Sequence, residues 1–306
     1  MSSLHTVKAW ISAFRLRTLP LSFSLVIMGT AVAMSGESKP SALIFALTLL
    51  TTLFLQILSN LSNDYGDSAN GVDSAERLGP CRAVQSGEIS LSQMKRAMVV
   101  FSVLSFVSGV GLLWAGYERV GLWPVASLLI VGVLCIVAAI TYTVGKHPYG
   151  YAGLGDLSVF IFFGLVGVGG TYFLQTGVLD AKIVLPSVSV GLLSCGVLNM
   201  NNMRDVENDR KAGKRTLPVI IGLHNAALYQ CALMILPVFG MICQIAFYGI
   251  GEQAACLLAA FPFVQNARTV TWMYDNPKYL DGQLKVISIS TFAMAVIFCV
   301  VAFIGL

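Results

Sequence analysis

The sequence predicts an all-α, polytopic membrane bundle of about nine transmembrane helices. Only 11% of its 306 residues are charged and 56% are hydrophobic, whereas soluble domains carry about 25% charged residues. A spanning helix needs roughly 20 apolar residues. The continuously apolar runs argue against the alternating pattern of a β-barrel. The nine candidate spans are 18–36, 40–63, 97–117, 120–145, 157–179, 183–203, 226–251, 253–274 and 286–306.

Two of these spans depend on local signals. The charge-free run 216–251 opens with Gly222-Leu-His224-Asn225, a turn signal, so we expect its helix to begin near residue 226. The charge-free run 253–267 is short, and we expect its helix to continue past Arg268 to Tyr274. We expect residues 1–306 to form a single transmembrane domain that is surrounded by lipid and has no nucleic-acid partner.

The charged residues gather on one side of the predicted bundle. If the spans alternate in direction, only Lys39, Arg119 and Lys182 of the 19 Lys and Arg residues lie on the opposite side. The positive-inside rule makes the basic side cytoplasmic. We therefore expect a multi-pass protein of the bacterial cytoplasmic (inner) membrane, with its N-terminus inside. All but four of the 15 acidic residues share that side, and this rule does not account for them.

Two Asn/Asp-rich motifs hold many of these acids. Each follows an even-numbered span, at the point where an apolar helix meets the cytoplasm, and each opens with Asn-x-x-x-Asp. Side chains four residues apart share a helix face, and carboxylates stacked in this way repel one another unless a cation lies between them. Hard oxygen ligands favour Mg²⁺, which completes its shell with water and substrate phosphates. The candidate residues are Asn63, Asp64, Asp67 and Asp73 in the first motif and Asn201, Asp205 and Asp209 in the second.

Basic and aromatic residues follow the acidic motifs on the same side. Arg82 lies in a loop shaped by Gly and Pro, and its guanidinium matches phosphate oxygens. In the segment 142–156 we expect Tyr142 to line a pocket and Lys146 to reach phosphate, and Lys211 follows the second motif. Other nearby residues fit simpler explanations as well. The positive-inside rule suffices for Lys95, Arg96, Lys214 and Arg215, and the interfacial aromatic belt for Tyr149 and Tyr151.

Taken together, these features resemble the UbiA superfamily of intramembrane prenyltransferases. The resemblance rests on the two Asp motifs, the segment from Tyr142 to Asp156 and the nine spans, and it covers nearly the whole chain. Gly71 stands where the usual first motif ends in Asp, and Asp73 follows two residues later. This departure, with Arg-x-Gly-Pro-x-Arg at 77–82 and Asn-Asn-x-Arg-Asp at 201–205, resembles the menaquinone branch of the superfamily.

The resemblance implies a Mg²⁺-dependent transfer of a polyprenyl chain from polyprenyl diphosphate to 1,4-dihydroxy-2-naphthoate. Diphosphate and carbon dioxide are lost and demethylmenaquinone forms. Two Mg²⁺ ions are expected, and Arg82 and Lys146 are the expected diphosphate contacts. The metal ligands that this implies are Asn63, Asp67, Asp205 and Asp209, with Asp64 and Asp73 in support.

Two alternatives remain at this point. A relative within the superfamily would prenylate another aromatic acceptor, such as 4-hydroxybenzoate. An ion-coupled transporter would place its ionisable groups near the bilayer midplane, whereas these acids lie at the ends of the predicted spans.

Overall fold

The computed structural model describes residues 3–36, 39–71 and 82–305, and this part of the chain is helical, without a β-strand. A ten-residue π-helical stretch, Phe160–Gly169, interrupts one long helix, and the 3₁₀ helix Gly251–Ala260 directly precedes another. The α-helices are α1 (Ser3–Phe14), α2 (Leu19–Met34), α3 (Ala42–Ala69), α4 (Leu91–Val120), α5 (Leu122–Thr141), α6 (Gly155–Thr176), α7 (Val184–Arg204), α8 (Val206–Lys211), α9 (Leu217–Ile221), α10 (Leu223–Tyr248), α11 (Phe261–Met273) and α12 (Pro277–Ile304).

The predicted spans correspond closely to these helices. Among the described residues, eight helices are long and apolar enough to cross a membrane. The predicted span 253–274 is built instead from two consecutive shorter elements, the 3₁₀ helix and α11. The loop expected at 222–225 was wrong, because α10 begins at Leu223 and only Gly222, at φ +82°, breaks the helical path. A single glycine in that conformation is enough to separate α9 from α10.

Short polar signals set where several spans begin. The Ser41 side chain accepts a hydrogen bond from the backbone N–H of Ile44 at the start of α3. Ser90 and Gln93 form a reciprocal capping box at the start of α4. Asn276 caps α12 through two backbone N–H groups. Each cap satisfies donors that the first helical turn would otherwise leave without partners.

Two larger packed cores divide the bundle, and a third, small cluster joins α3, α4 and α6. The larger core joins α2 with α6, α7, α10, α11 and α12, and it includes the fully buried Met28, Leu193, Met234, Phe263 and Phe298. A smaller core joins α1, α3 and α4 with the segment that precedes α4. No residue of α5 is buried. The space between the two cores is therefore bounded on one side by a loosely packed helix.

A chain of amide side chains, three of them buried and Gln283 half-buried, links the helices of the C-terminal half. Asn199 on α7 donates to Gln230 on α10 at 2.9 Å, and Gln230 donates to Asn266 on α11 at 3.2 Å. Asn266 in turn donates to Gln283 on α12 at 3.2 Å. Polar side chains that are buried between spanning helices find their partners on neighbouring helices. The chain therefore ties together the four helices that carry and support the second Asp motif.

Helices α6 and α7 approach each other closely where glycines replace side chains. A Cβ atom at Gly164 would lie 2.6 Å from the carbonyl oxygen of Ser187, and one at Gly191 would lie 3.2 Å from the Cα atom of Gly164. Small residues allow such backbone contact between membrane helices. This crossing lies within the π-helical part of α6, a feature that is common near functional sites.

Candidate active site

Asp64 and Asp67 of the first Asp motif lie on the last turns of α3 and are buried. Asp64 is 1% exposed and Asp67 is 2% exposed. Charged groups that are removed from water need partners, and both carboxylates have them. Asp67 forms ion pairs with Arg82 and with Lys214, whose Nζ lies 2.7 Å from Oδ1, and the Tyr151 hydroxyl donates to the same carboxylate.

Asp64 is paired with residues that come from both sides of it in the sequence. It forms an ion pair with Arg15, and the Nε of Arg82 lies 3.5 Å from its Oδ1. Arg15 has a φ of +49° and is the one non-glycine residue of the described chain with a positive φ. Residues held in this sparsely populated region cluster at functional sites. The turn between α1 and α2 is therefore part of the same polar centre.

Gly66, between the two acids, allows the loop after α5 to pack against the motif. A Cβ atom at this position would lie 2.5 Å from the carbonyl oxygen of Thr143. The Thr143 hydroxyl donates to the backbone oxygen of Ser62 at 2.8 Å, and Asn70 donates to the Thr143 carbonyl at 3.1 Å. Close backbone approach of this kind requires glycine. The loop that carries Tyr142 and Tyr151 is thereby fixed beside Asp64 and Asp67.

The second Asp motif follows α7 and approaches the first through one lysine. Asp209 on α8 is 5% exposed, and the Nζ of Lys214 lies 3.9 Å from its Oδ1 while also pairing with Asp67. The Lys214 side chain also lies over the ring of Tyr151, 4.5 Å from the centroid. The two motifs thus face each other across a shared cation, the ammonium group of Lys214.

Asp205 has a different environment from Asp209. Arg204 donates to both of its carboxylate oxygens, at 2.9 and 2.7 Å, and also to the side-chain oxygen of Asn201 at 2.9 Å. Asp205 lies at the junction between α7 and α8, and the backbone N–H of Asp209 donates to its carbonyl at 2.9 Å. The helical path is therefore nearly continuous between Asp205 and Asp209, which are four residues apart in the sequence.

The remaining predicted residues are distributed around this centre. Asn63 and Tyr142 line the cavity described below. Lys146 is exposed and forms no ion pair with any residue in the described ranges, and Lys211 is exposed beside a small recess that Asp205 also lines. Asp73 and Arg77 lie outside the described residues.

Three contributors to the centre were missed or assigned another role. The positive-inside rule was a sufficient explanation for Lys214, but this explanation is incomplete because Lys214 pairs with two motif acids. Arg15 was not among the predicted site residues, and its contact with Asp64 spans 49 positions in the chain. Tyr151 fitted the aromatic belt equally well. No local pattern distinguishes such residues from ordinary interfacial ones.

The two loop tyrosines are hydrogen-bond donors at neutral pH. Burial, and next to it the negative charge of Asp67, raises the pKa of the Tyr151 hydroxyl above its ordinary value. Burial likewise raises the pKa of Tyr142. Both effects disfavour the charged phenolate. The tyrosines can therefore donate to a carboxylate or to an anionic ligand, and neither is suited to act as a base.

An apolar cavity begins at this polar centre and runs into the bundle. It has a volume of about 360 Å³ and lies between α3, α4, α5 and α6. Its lining on α3 extends from Thr48 to Asn63, which corresponds to about 22 Å of helix rise. Asn63 and Tyr142 lie at the charged end, and Leu113 and Leu174 close the other. Leu129, which also lines the cavity, is 38% exposed, so this wall adjoins the lipid-facing surface.

The side chains of the site can supply some of the oxygen ligands that a divalent cation needs. Among the described residues, no group of three or more His, Cys, Asp or Glu side chains converges on one point. Mg²⁺ needs only one or two carboxylates together with water and phosphate oxygens. Asp67 and Asp209 already share one positive charge, the ammonium of Lys214. A cation between these two carboxylates therefore matches the chemistry of the site.

This chain belongs to the UbiA prenyltransferase family, which it matches over residues 22–279. A protein from Haemophilus influenzae named 1,4-dihydroxy-2-naphthoate octaprenyltransferase is 40% identical over 304 residues, covering 98% of this chain and 97% of that protein. A protein of the same name from Escherichia coli K12 is 45% identical over 232 residues, covering 76% and 74%.

Solved structures share the fold at lower identity. The apo structure of a UbiA homolog from Aeropyrum pernix K1 superposes with a TM-score of 0.65 at 20% identity, covering 93% of this chain and 97% of that one. A UbiA homolog from Archaeoglobus fulgidus, bound to GPP and Mg²⁺, gives a TM-score of 0.59 at 16% identity, covering 93% and 99%. The helical membrane architecture predicted from the sequence is therefore confirmed as that of the UbiA fold.

Proposed function

We propose that this protein transfers a polyprenyl chain from polyprenyl diphosphate to 1,4-dihydroxy-2-naphthoate in menaquinone biosynthesis. The observation that carries the proposal is a dense cluster of acids and bases at the mouth of a long apolar cavity. Such a site accommodates a molecule with a charged head and a hydrocarbon tail. The names of the relatives that are 40% and 45% identical support the choice of acceptor.

The acidic residues are proposed to hold the diphosphate through Mg²⁺. Asp67 and Asp209 face each other across Lys214, and we propose them as metal ligands together with Asn63 and Asp205, with Asp64 and Asp73 in support. When bound, Mg²⁺ neutralises the charge that develops on the leaving diphosphate. The fold relative from Archaeoglobus fulgidus is described as bound to GPP and Mg²⁺. Two ions are proposed because two motifs supply ligands.

The basic residues have a second role in this proposal. Arg15, Arg82 and Lys214 neutralise the motif acids in the absence of metal. With Mg²⁺ on the acids, these basic side chains would be able to donate to phosphate oxygens, for which Arg offers a planar fork and Lys a point charge. Lys214 thus joins Arg82 as a proposed diphosphate contact. Lys146 and Lys211 remain predicted contacts that would have to move toward the substrate.

The apolar cavity is proposed to hold the first part of the polyprenyl chain. As the bond between the allylic carbon and the diphosphate oxygen breaks, positive charge develops on that carbon. Walls of leucine, valine and phenylalanine exclude water, which would otherwise capture the cation. A ring carbon of the acceptor then forms the new carbon–carbon bond. The carboxylate leaves as carbon dioxide and its bonding electron pair passes to the ring, giving demethylmenaquinone in its reduced form.

The proposal includes an orientation in the membrane. The basic residues surround the active site, and the positive-inside rule assigns that end of the bundle to the cytoplasm. We therefore propose an inner-membrane enzyme that receives both substrates on its cytoplasmic side. The cluster lies at helix ends and not at the bilayer midplane, so the geometry does not favour the alternative of an ion-coupled transporter.

The proposed function is tested by comparing two aromatic acceptors. Purified protein in detergent would receive one polyprenyl diphosphate with Mg²⁺ and either 1,4-dihydroxy-2-naphthoate or 4-hydroxybenzoate, and products would be identified by mass spectrometry. We expect a decarboxylated prenyl naphthalenediol and no prenylated hydroxybenzoate. A product from hydroxybenzoate alone would overturn the choice of acceptor. Absence of any Mg²⁺-dependent product from either acid would overturn the proposed activity.

A further inference from the structure

Arg204, the last residue of α7, links the second Asp motif to the C-terminal helix. The residue is 3% exposed, and its guanidinium contacts two carboxylates. It donates through Nε and Nη2 to the two oxygens of Asp205, and through Nη1 to Oδ1 of Asp281 at 2.6 Å. Asp281 lies near the start of α12, 77 positions away in the chain. Neither acidic motif contains it.

The geometry determines what each partner does. A bidentate contact between a planar guanidinium and a carboxylate fixes the plane of both groups. Asp205 therefore has the orientation that Arg204 imposes on it. Asp281 in turn holds Arg204 through Nη1. A buried guanidinium needs a partner for each of its donors, because an unpaired buried donor costs free energy. The orientation of Asp205 thus depends on a residue of a different helix.

We propose that Asp281 is a positioning residue that acts through Arg204 to orient the Asp205 carboxylate toward the metal-bound diphosphate. The proposal rests on the proposed function, in which Asp205 is a metal ligand. Residues that orient metal ligands without touching the metal commonly change metal affinity by about 10- to 100-fold when they are removed. The Asp281 side chain is 46% exposed, so water partly replaces it and we expect the lower end of that range.

The turn before α12 offers a matched control. Asp275 is exposed, lines the same small recess as Asp205 and Arg204, and forms no ion pair with a residue in the described part of the chain. It carries the same charge as Asp281. Replacement of Asp275 therefore changes the local charge without removing a contact to Arg204.

The experiment measures Mg²⁺ dependence in two ways on D281A, D281E and D275A. One readout is the initial rate of prenyl transfer against Mg²⁺ concentration, and the other is the thermal midpoint of the purified protein in Mg²⁺ with inorganic diphosphate. For D281A we expect the half-maximal Mg²⁺ concentration to rise about tenfold in both. The rate at saturating Mg²⁺ should stay within about twofold of wild type. D281E should recover part of the shift, and D275A should behave as wild type.

The outcomes separate this inference from the proposed function. An unshifted Mg²⁺ curve for D281A, or an equal shift for D275A, would overturn the role of Asp281 alone. A D281A protein with a lower maximal rate and lower thermal midpoint but an unchanged Mg²⁺ curve would show a purely structural role and would also overturn it. A wild-type protein that neither reacts nor gains thermal stability with Mg²⁺ and diphosphate would overturn the proposed function and this inference together.

Discussion

At the scale of single residues, Asp67 joins segments that are far apart in the chain. Its carboxylate meets Arg82 from the following loop, Tyr151 from the loop after α5 and Lys214 from the loop after α8. In a medium of low polarity each of these contacts depends on the negative charge. Neutralisation of Asp67 therefore removes the common partner of three side chains as well as a proposed metal ligand.

We expect D67N to lose prenyl transfer by at least about 100-fold, because transition-state charge stabilisation of this kind commonly contributes that much. The protein should remain folded, as judged by gel filtration in detergent and by circular dichroism. Glu207→Gln is the control. Glu207 is exposed beside the second motif, and it forms a 2.8 Å ion pair with Arg210 on the same helix. Near-normal activity of D67N would refute the role given to the first motif.

A second prediction compares two lysines of equal charge. Lys214 pairs with both motifs, whereas Lys146 is exposed. We expect K214M to raise the KM for polyprenyl diphosphate by about tenfold, since a charge-assisted hydrogen bond contributes roughly 1.5–3 kcal/mol. K146M should raise that KM less than K214M does, because the exposed Lys146 would first have to move toward the substrate. Steady-state kinetics at saturating acceptor measure both values, and the opposite order would make Lys146 the stronger phosphate contact.

At the scale of helices, the cavity depends on how α4, α5 and α6 present small residues to it. Gly109, Gly132 and Gly170 line it from these three helices, and a Cβ atom at Gly132 or Gly170 would meet no atom within 4 Å. The space at these positions is therefore available to a hydrocarbon chain. The π-helical part of α6 ends immediately before Gly170, which begins a new α-helical turn facing the cavity.

We expect a leucine at position 170 to occupy part of this space. G170L should lower kcat/KM for a long polyprenyl diphosphate by about tenfold, because each methylene kept out of an apolar site costs about 0.8 kcal/mol. A short prenyl diphosphate that does not reach position 170 should be less affected. G111L is the control, since Gly111 has equal open space but lies on α4 outside the cavity lining. Equal losses for both chain lengths would contradict this use of the cavity.

At the scale of the whole molecule, charged side chains are distributed unequally between the two ends of the bundle. The acids and bases of the site meet at one end of the bundle, where α3, α5 and α7 end and α6 begins. The opposite end is held by fewer polar contacts, among them the hydrogen bonds from Arg119 to the backbone of Gln175 and Lys39. A protein with this asymmetry has one preferred direction in the membrane.

Cysteine labelling tests that direction. In a variant with Cys81 replaced by serine, we expect a cysteine introduced at Glu207 to react with a membrane-impermeant maleimide in inverted vesicles but not in spheroplasts. A cysteine introduced at Glu118, which is exposed at the opposite end, should show the reverse. The six described cysteines are buried or half-buried, so background labelling should be low. The opposite labelling pattern would place the active site outside the cytoplasm.

Much of this architecture follows from local sequence. Apolar runs of spanning length predict helices because a backbone in lipid must satisfy its own hydrogen bonds, and eight such helices were found where the sequence placed them. The Asn/Asp motifs predict a polar centre because their side chains repeat every four residues on one helix face. The fold family could also be predicted, because it was recognised from motif residues and their spacing along the sequence.

The pairing within the site was decided by tertiary structure. Lys146 and Lys214 have the same charge and lie on the same predicted side, but of these two only Lys214 reaches Asp67, because the packing of the helices sets which loop faces the acids. The contacts of Arg15 with Asp64 and of Arg204 with Asp281 depend in the same way on helices distant in sequence. The sequence by itself determined the membrane class, the family and the acidic motifs, whereas helix packing alone decided which cation meets which carboxylate.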